Sequence, residues 1–372
     1  MSDVVRFNVY SDIHYDRLGA RCITVEDCAE VEIAVIYRAG ERDCHFVLFA
    51  GDRYLKREPE DEVKTKADLV LYNSYGSLPK AIPHFHLVGN HDWTKKSLSW
   101  HTSESLWCLG NARLMSSPAT YASDLTSPFL VHALPADHQW DFSKYQTDPS
   151  KLNIFTFHDT LRGTYLDNDS KILADFGVYR NDLDRPEFDY VFAGDIHIPQ
   201  RIPFSNTQGG YVGAVLQRTM ADANQARGWV EVEAVRTDTG GWDVRTEFVP
   251  TRNFFTKASF NMTDTSVYED IRIDEQWLTD QYVEVELIGN KANVDRVAND
   301  PRWVNYETFY RVRHLEICRT YKMEQGEVIV DMSTSTGLLD DLNAYLDSGF
   351  AELGILPREG VTQAVSELMK ED

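Results

Sequence analysis

Five short apolar runs in the first 200 residues each end on side chains that could hold a cation or move a proton. Residues 5–10 lead into Ser11-Asp12-Ile13-His14, and residues 45–50 into Gly51-Asp52. Residues 84–88 lead into Gly89-Asn90-His91-Asp92, residues 153–157 into His158-Asp159, and residues 189–193 into Gly194-Asp195-Ile196-His197. Carboxylate, amide and imidazole donors of this kind suit divalent ions. A set this large can serve two ions about 3.5–4 Å apart that share one carboxylate and clamp a phosphoryl group between them. Each piece alone is common by chance, and strand-end polar residues also cap turns and helices. The signal lies in five such pieces in succession.

Uninterrupted apolar runs of this length suit strands buried on both faces. Between them helical spacing returns. Thr24 is placed to cap a helix carrying Cys28, Val31, Val35 and Arg38, and residues 61–75 form a second helix. The alternation predicts an α/β layered core whose strand-end loops gather on one rim. After residue 200 the pattern changes. Residues 228–235 and 243–249 alternate like a hairpin around Asp238-Thr239-Gly240-Gly241. Residues 282–288 read as a strand of a smaller α+β module. From Thr336 come two short amphipathic helices, one lined by Leu338, Leu342 and Leu346, the other by Val361, Val365 and Leu368. The expected domains are 1–251, 252–334 and 335–372.

With those motifs in that order, the sequence resembles the calcineurin-like metallophosphoesterase superfamily over its first 250 residues or so. Three stretches are similar to the nuclease subunit of the bacterial SbcCD complex and its phage counterparts. They are Gly194-Asp195-Ile196-His197-Ile198-Pro199-Gln200, Tyr211-Val212-Gly213-Ala214-Val215-Leu216-Gln217-Arg218 and Val249-Pro250-Thr251-Arg252-Asn253-Phe254. The resemblance implies a layered sandwich of β-sheets flanked by helices, with a small α+β capping domain and a helical C-terminal tail. It implies two divalent ions, Mn²⁺ in first place and Mg²⁺ in second. Asp12, His14 and His197 would hold one, Asn90, His158 and Asp195 the other, and Asp52 would bridge them. His91 would stay off the metals and face the scissile phosphate, stabilising charge or protonating the leaving oxygen. Two positions depart from the family pattern. Asp195 stands where the family usually has His, and Leu55 where relatives often carry an acidic or imidazole side chain. Arg53 is the candidate phosphate contact that would compensate.

Other residues invite ordinary readings. His84 and His86 alternate within a strand and read as packing or orienting side chains; Asp92 reads as a support for the His91 loop. Asp159 is either an orienting carboxylate or a helix cap. His132 and His138 read as surface histidines, and Trp93 and Trp100 as core.

Composition bounds the function. The 372 residues are 42% hydrophobic, enough for two cores. No run of eighteen uncharged apolar residues and no basic-then-apolar leader occurs, which predicts a cytoplasmic protein that spans no membrane. Five cysteines without a Cys-x-x-Cys pair point to reduced thiols. The expected activity is that of a two-metal DNA exonuclease or endonuclease, working on ends in recombination, repair or phage replication. No Gly-x-x-x-x-Gly-Lys motif is present, so ATP use would fall to a partner. The resemblance implies an SbcC-like coiled-coil ATPase, and a homodimer. The alternatives are a phosphoesterase for small phosphoesters or cyclic nucleotides, and an inactive scaffold. The scaffold predicts missing ligands, whereas every candidate position is filled with a competent type. The net charge of −22 is spread along the chain: residues 251–372 hold 12 Lys+Arg against 23 Asp+Glu, and residues 1–250 hold 25 against 36. That excludes a protein coating nucleic acid by bulk attraction. It does not exclude a nuclease whose bound cations reverse the sign locally.

Overall fold

The computed structural model describes residues 4–16, 22–94, 101–166, 173–262, 281–300, 303, 312–322 and 328–330. Trp100 and the expected helices after residue 336 lie outside them. In chain order the described strands are β1 (Val4–Tyr10), β2 (Phe46–Phe49), β3 (His84–Leu87), β4 (Ala112–Met115), β5 (Ala119–Tyr121), β6 (Phe129–Leu134), β7 (Leu152–His158) and β8 (Tyr190–Gly194). They continue as β9 (Gln200–Arg201), β10 (Gly209–Tyr211), β11 (Gly228–Arg236), β12 (Trp242–Pro250), β13 (Phe255–Asn261), β14 (Tyr282–Gly289), β15 (His314–Lys322) and β16 (Val328–Val330). The described α-helices are α1 (Val25–Glu41), α2 (Asp61–Gly76), α3 (Arg180–Leu183) and α4 (Lys291–Ala298). The chain divides into two units, residues 1–257 with 276–282, and residues 258–275 with 283–372.

The first unit stacks two six-stranded sheets, ordered β12-β11-β1-β2-β3-β4 and β5-β6-β7-β8-β10-β9. This is the α/β sandwich expected. Between the sheets Phe7 and Phe46 stack at 4.4 Å and Phe46 meets Phe129 at 4.3 Å. Each such ring, fully buried, contributes about 1.5–3 kcal/mol. Helices α1 and α2 cover the outer face of the first sheet, where Cys28, Val31, Val35 and Leu71 pack with Tyr10, Val47 and Phe49. Thr24 caps α1 through a capping box, its hydroxyl accepting from the Asp27 N–H while Asp27 accepts from the Thr24 N–H. The parallel strands β1, β2 and β3 therefore end on one rim, as do β7 and β8 of the second sheet. The second unit carries a four-stranded sheet, β13-β14-β15-β16, with α4 tied to β15 by Tyr321 donating to Asp295. Among the described residues no helix is long and apolar enough to cross a membrane.

His132 corrects one expectation: it is fully buried on β6, bonded to Thr120 and to Asn153. Its partners lie 12 and 21 residues away, which is why a local reading places it on the surface. His84 is likewise buried, with the Tyr75 hydroxyl 2.7 Å from its Nδ1. Burial lowers His84 to about 3, aided by Arg53, and lowers His132 to about 4. Both imidazoles are neutral in the fold, whereas in the unfolded chain they take a proton near pH 6.5. Stability is therefore complete above about pH 6.5 and is lost as pH falls toward the folded values, by about 2 kcal/mol per histidine at pH 5. Urea unfolding at pH 6 and pH 5 checks this. The variant His132→Asn should flatten the slope by about 1.4 kcal/mol per pH unit; an unchanged slope would contradict a neutral, buried His132.

Candidate metal centre

Asp12, His14, Asp52 and Asp195 all sit at positive φ, between 51° and 88°, just beyond their strands. Non-glycine residues rarely adopt this region, and the fold holds four of them there at one rim. Glycines make room for the crowding. A Cβ on Gly51 or Gly194 would strike the His158 ring, and one on Gly89 would strike Asp52.

The result is a convergence of acceptors. The Asp12, Asp52 and His158 side chains are 3% exposed or less. Asp52 turns its two oxygens toward different partners: Oδ1 lies 3.3 Å from His158 Nε2, and Oδ2 lies 3.7 Å from His14 Nε2. His14 Nε2 in turn lies 3.0 Å from His197 Nε2 and 3.8 Å from Asp12 Oδ1. Three sets therefore bring one donor atom per residue within 4.8 Å of one another: Asp12-His14-His197, Asp12-Asp52-His158 and His14-Asp52-His91. The Asn90 amide lies 3.1 Å from His158 Nε2 and 3.2 Å from both Asp52 oxygens. With its nitrogen inward it donates to them; with its oxygen inward it is one more acceptor.

Backbone carbonyls fix which ring nitrogen faces the cluster. His158 Nδ1 donates to the Ala50 carbonyl at 2.7 Å, and His14 Nδ1 lies 3.4 Å from that of Tyr54. His91 Nδ1 donates to the Leu55 carbonyl, and the His91 N–H donates to Asp52 Oδ1. Each imidazole thus presents Nε2 inward. Burial pushes the Asp12 carboxyl up to about 7, with His158 opposing and Asp52 adding. Burial opposes the Asp52 charge too, but His158 and His14 hold that carboxyl below its usual range. Burial and then Arg218 keep His14 and His197 low, so both are neutral with lone pairs available. His158 is raised against its burial by Asp52 and Asp12. A proton on His158 therefore neutralises what divalent cations would neutralise, and the donor set fits such ions.

The remaining candidates fall out differently. Asp195 belongs to none of the three sets: its N–H donates to Asp12, and its Oδ2 accepts from the Thr160 hydroxyl at 2.5 Å. Its side chain lines, with His197, Thr160 and Arg227, a cavity of about 540 Å³. Arg53 is corrected outright. It is fully buried beneath the site, with Nη1 2.6 Å from Glu32 Oε1 and Nη2 2.7 Å from the Ala67 carbonyl, and cannot reach a phosphate. Asp92 accepts from the backbone N–H groups of Gly89, Arg53 and Tyr54, tying the Asp52 and His91 loops together. Asp159 neither caps a helix nor orients an imidazole; it accepts from Trp140 and from the Thr160 N–H. Trp93 is core, its indole donating to Ala136. Thr160 and the three carbonyls are parts that the sequence does not announce. No motif marks the first, and backbone atoms carry no side-chain signal.

A model of the calcineurin-like phosphoesterase family matches residues 5–199, more than half of the chain. Among solved structures the chain is similar to a dimetal phosphatase from Danio rerio, at 12% identity and a TM-score of 0.40, over 66% of this chain and 98% of that one. A conserved uncharacterized protein from Streptococcus pneumoniae follows, at 13% and 0.29, over 66% and 99%. Phosphopantetheinyl hydrolase from Mycobacterium tuberculosis stands at 10% and 0.33, over 57% and 91%. No curated protein matches the sequence. The family match spans all five strand ends that build the cluster, and the chain belongs to the calcineurin-like phosphoesterase family.

Proposed function

We propose that the chain is a divalent-metal-dependent DNA nuclease that hydrolyses phosphodiester bonds at DNA ends. The observation that carries the hydrolase part is Asp52, whose two oxygens face two separate donor groups. One group is Asp12, His14 and His197; the other is His158 with Asn90, which Asp12 also approaches, while Asp195 stands beside Asp12 and His197 in the adjoining cavity. Bound Mn²⁺, or Mg²⁺, would supply Lewis acidity to the phosphoryl oxygens and a nucleophile at neutral pH. His91 has the proton-handling role. Its Nδ1–H is committed to the Leu55 carbonyl, which turns Nε2 to the site. As the imidazolium, with both nitrogens protonated, the ring would give its Nε2 proton to the departing oxygen and be left as the neutral Nδ1–H form. The DNA part is supported by the motif resemblance of residues 194–200, 211–218 and 249–254 to the SbcCD nuclease subunit. The same resemblance supports an SbcC-like ATPase partner and a homodimer, and the five free cysteines agree with a cytoplasmic location.

The test offers Mn²⁺-loaded protein labelled linear duplex, single-stranded DNA and a chromogenic phosphodiester. Cleavage of either DNA supports the reading; turnover of the small ester alone would sink it. His91→Ala should lower kcat on the order of 10²–10⁴-fold with metal content unchanged. Loss of metal in that variant would make His91 a ligand instead.

A further inference from the structure

On the second sheet a cavity of about 550 Å³ is lined by Arg162, Arg180, Arg201, Tyr165, Tyr179 and Gln200, among others, and among the described residues by no carboxylate. In a chain with 59 acidic and 37 basic residues, three arginines that share one groove stand out against the overall charge. Elsewhere the exposed Arg38 pairs with Glu41 and Glu231, and Arg245 with Asp243. Among the described residues Arg162, Arg180 and Arg201 form no ion pair. Arg162 lies 5.0 Å over the Tyr179 ring, and Tyr165 and Tyr179 are 48% and 61% exposed. Large aromatics this open, beside guanidinium groups that meet no carboxylate among the described residues, are the parts of a surface that stacks bases and holds phosphates.

The groove is fixed to the metal-type cluster. Gln200, three residues beyond His197, accepts from the Tyr165 N–H at 2.9 Å and donates to the Tyr165 carbonyl at 2.9 Å. Leu161 to Tyr165 line this groove, while the flanking Thr160 and Leu166 line the cavity of Asp195 and His197. One short segment thus borders both spaces. Resting on the nuclease reading, we infer that this groove binds a single-stranded polynucleotide flanking the cleaved bond, with phosphates on the arginines and bases on the tyrosines.

The experiment follows the anisotropy of labelled, phosphorothioate-linked dT12 and dT3 with Mn²⁺ and the full chain. Arg162→Ala with Arg201→Ala should weaken dT12 about tenfold, so that its advantage over dT3 collapses. The dependence of log affinity on log salt should flatten by about 1.4, at roughly 0.7 for each phosphate no longer neutralised. Tyr179→Ala should cost about 5–150-fold on dT12, the range for one stacked base, and Tyr179→Phe should restore it. Unchanged melting temperatures establish that these surface variants fold. If wild type binds dT12 and the variants bind it equally, or if dT3 and dT12 weaken alike, the groove inference fails and the nuclease reading stands. If wild type neither binds nor cleaves any DNA, both fail together.

Discussion

Asp52→Asn should reduce turnover on the order of 10⁴-fold, about 5 kcal/mol of transition-state stabilisation, and should also abolish the protein's thermal response to Mn²⁺. The reasoning is geometric. Asp52 turns one oxygen to the His158 side and the other to the His14 side, at 3.3 Å and 3.7 Å. An amide keeps the shape, removes the charge and puts a donor NH₂ where one of two acceptors stood. It also disturbs the His91 loop, because Asp52 Oδ1 accepts the His91 N–H at 3.0 Å. Saturation of wild type at 100 times Kd should add about 2.7 kcal/mol, or roughly 5–10 °C in melting temperature. Calorimetry on both proteins with and without Mn²⁺ reads this directly. A variant that keeps both its activity and its Mn²⁺-induced shift would remove Asp52 from the centre of the site.

Much of this site is legible in the sequence because a parallel strand delivers its next residues to a common rim. Asp12, His14, Asp52, Asn90, His158 and His197 meet for that reason, although 183 residues separate His14 from His197. What is not legible is the direction of a side chain once the strand has ended. Arg53 follows Asp52 directly, and adjacency alone suggests a shared role. The chain turns between them, so Asp52 faces the rim and Arg53 drops into the layer under α1. The sequence does carry a trace of this: Glu32 interrupts the buried face of Val31, Val35, Ile36 and Ala39 on α1, and a carboxylate there needs a buried cation. The sheet order is likewise hidden. β11 pairs with β1 from more than two hundred residues away, and no local pattern encodes such a register.

That buried pair makes the second large prediction, a loss of about 3–5 kcal/mol for Glu32→Ala. Glu32 and Arg53 are both fully buried, so neither charge has water to fall back on. Glu32 Oε1 accepts from Arg53 and from the Tyr10 hydroxyl at 2.6 Å each, and Oε2 accepts from the Tyr15 hydroxyl at 2.9 Å. Truncation strands one guanidinium and two hydroxyls at once, and the cost is mostly theirs. Replacing the partners together separates that penalty from the worth of the pair. Glu32→Leu with Arg53→Met should recover most of the stability, because two charges no longer need desolvation. Urea unfolding of the single and double variants measures the coupling, and a single-variant loss below about 1 kcal/mol would mean that water reaches the pair. Activity is the more telling readout of the double variant. The Arg53 and Tyr54 N–H groups both bond Asp92, so the Asp52 loop is held by backbone as well as by the ion pair. A stable double variant that retains kcat would show the pair to be a support of the fold, and one that loses kcat would show that it aims Asp52.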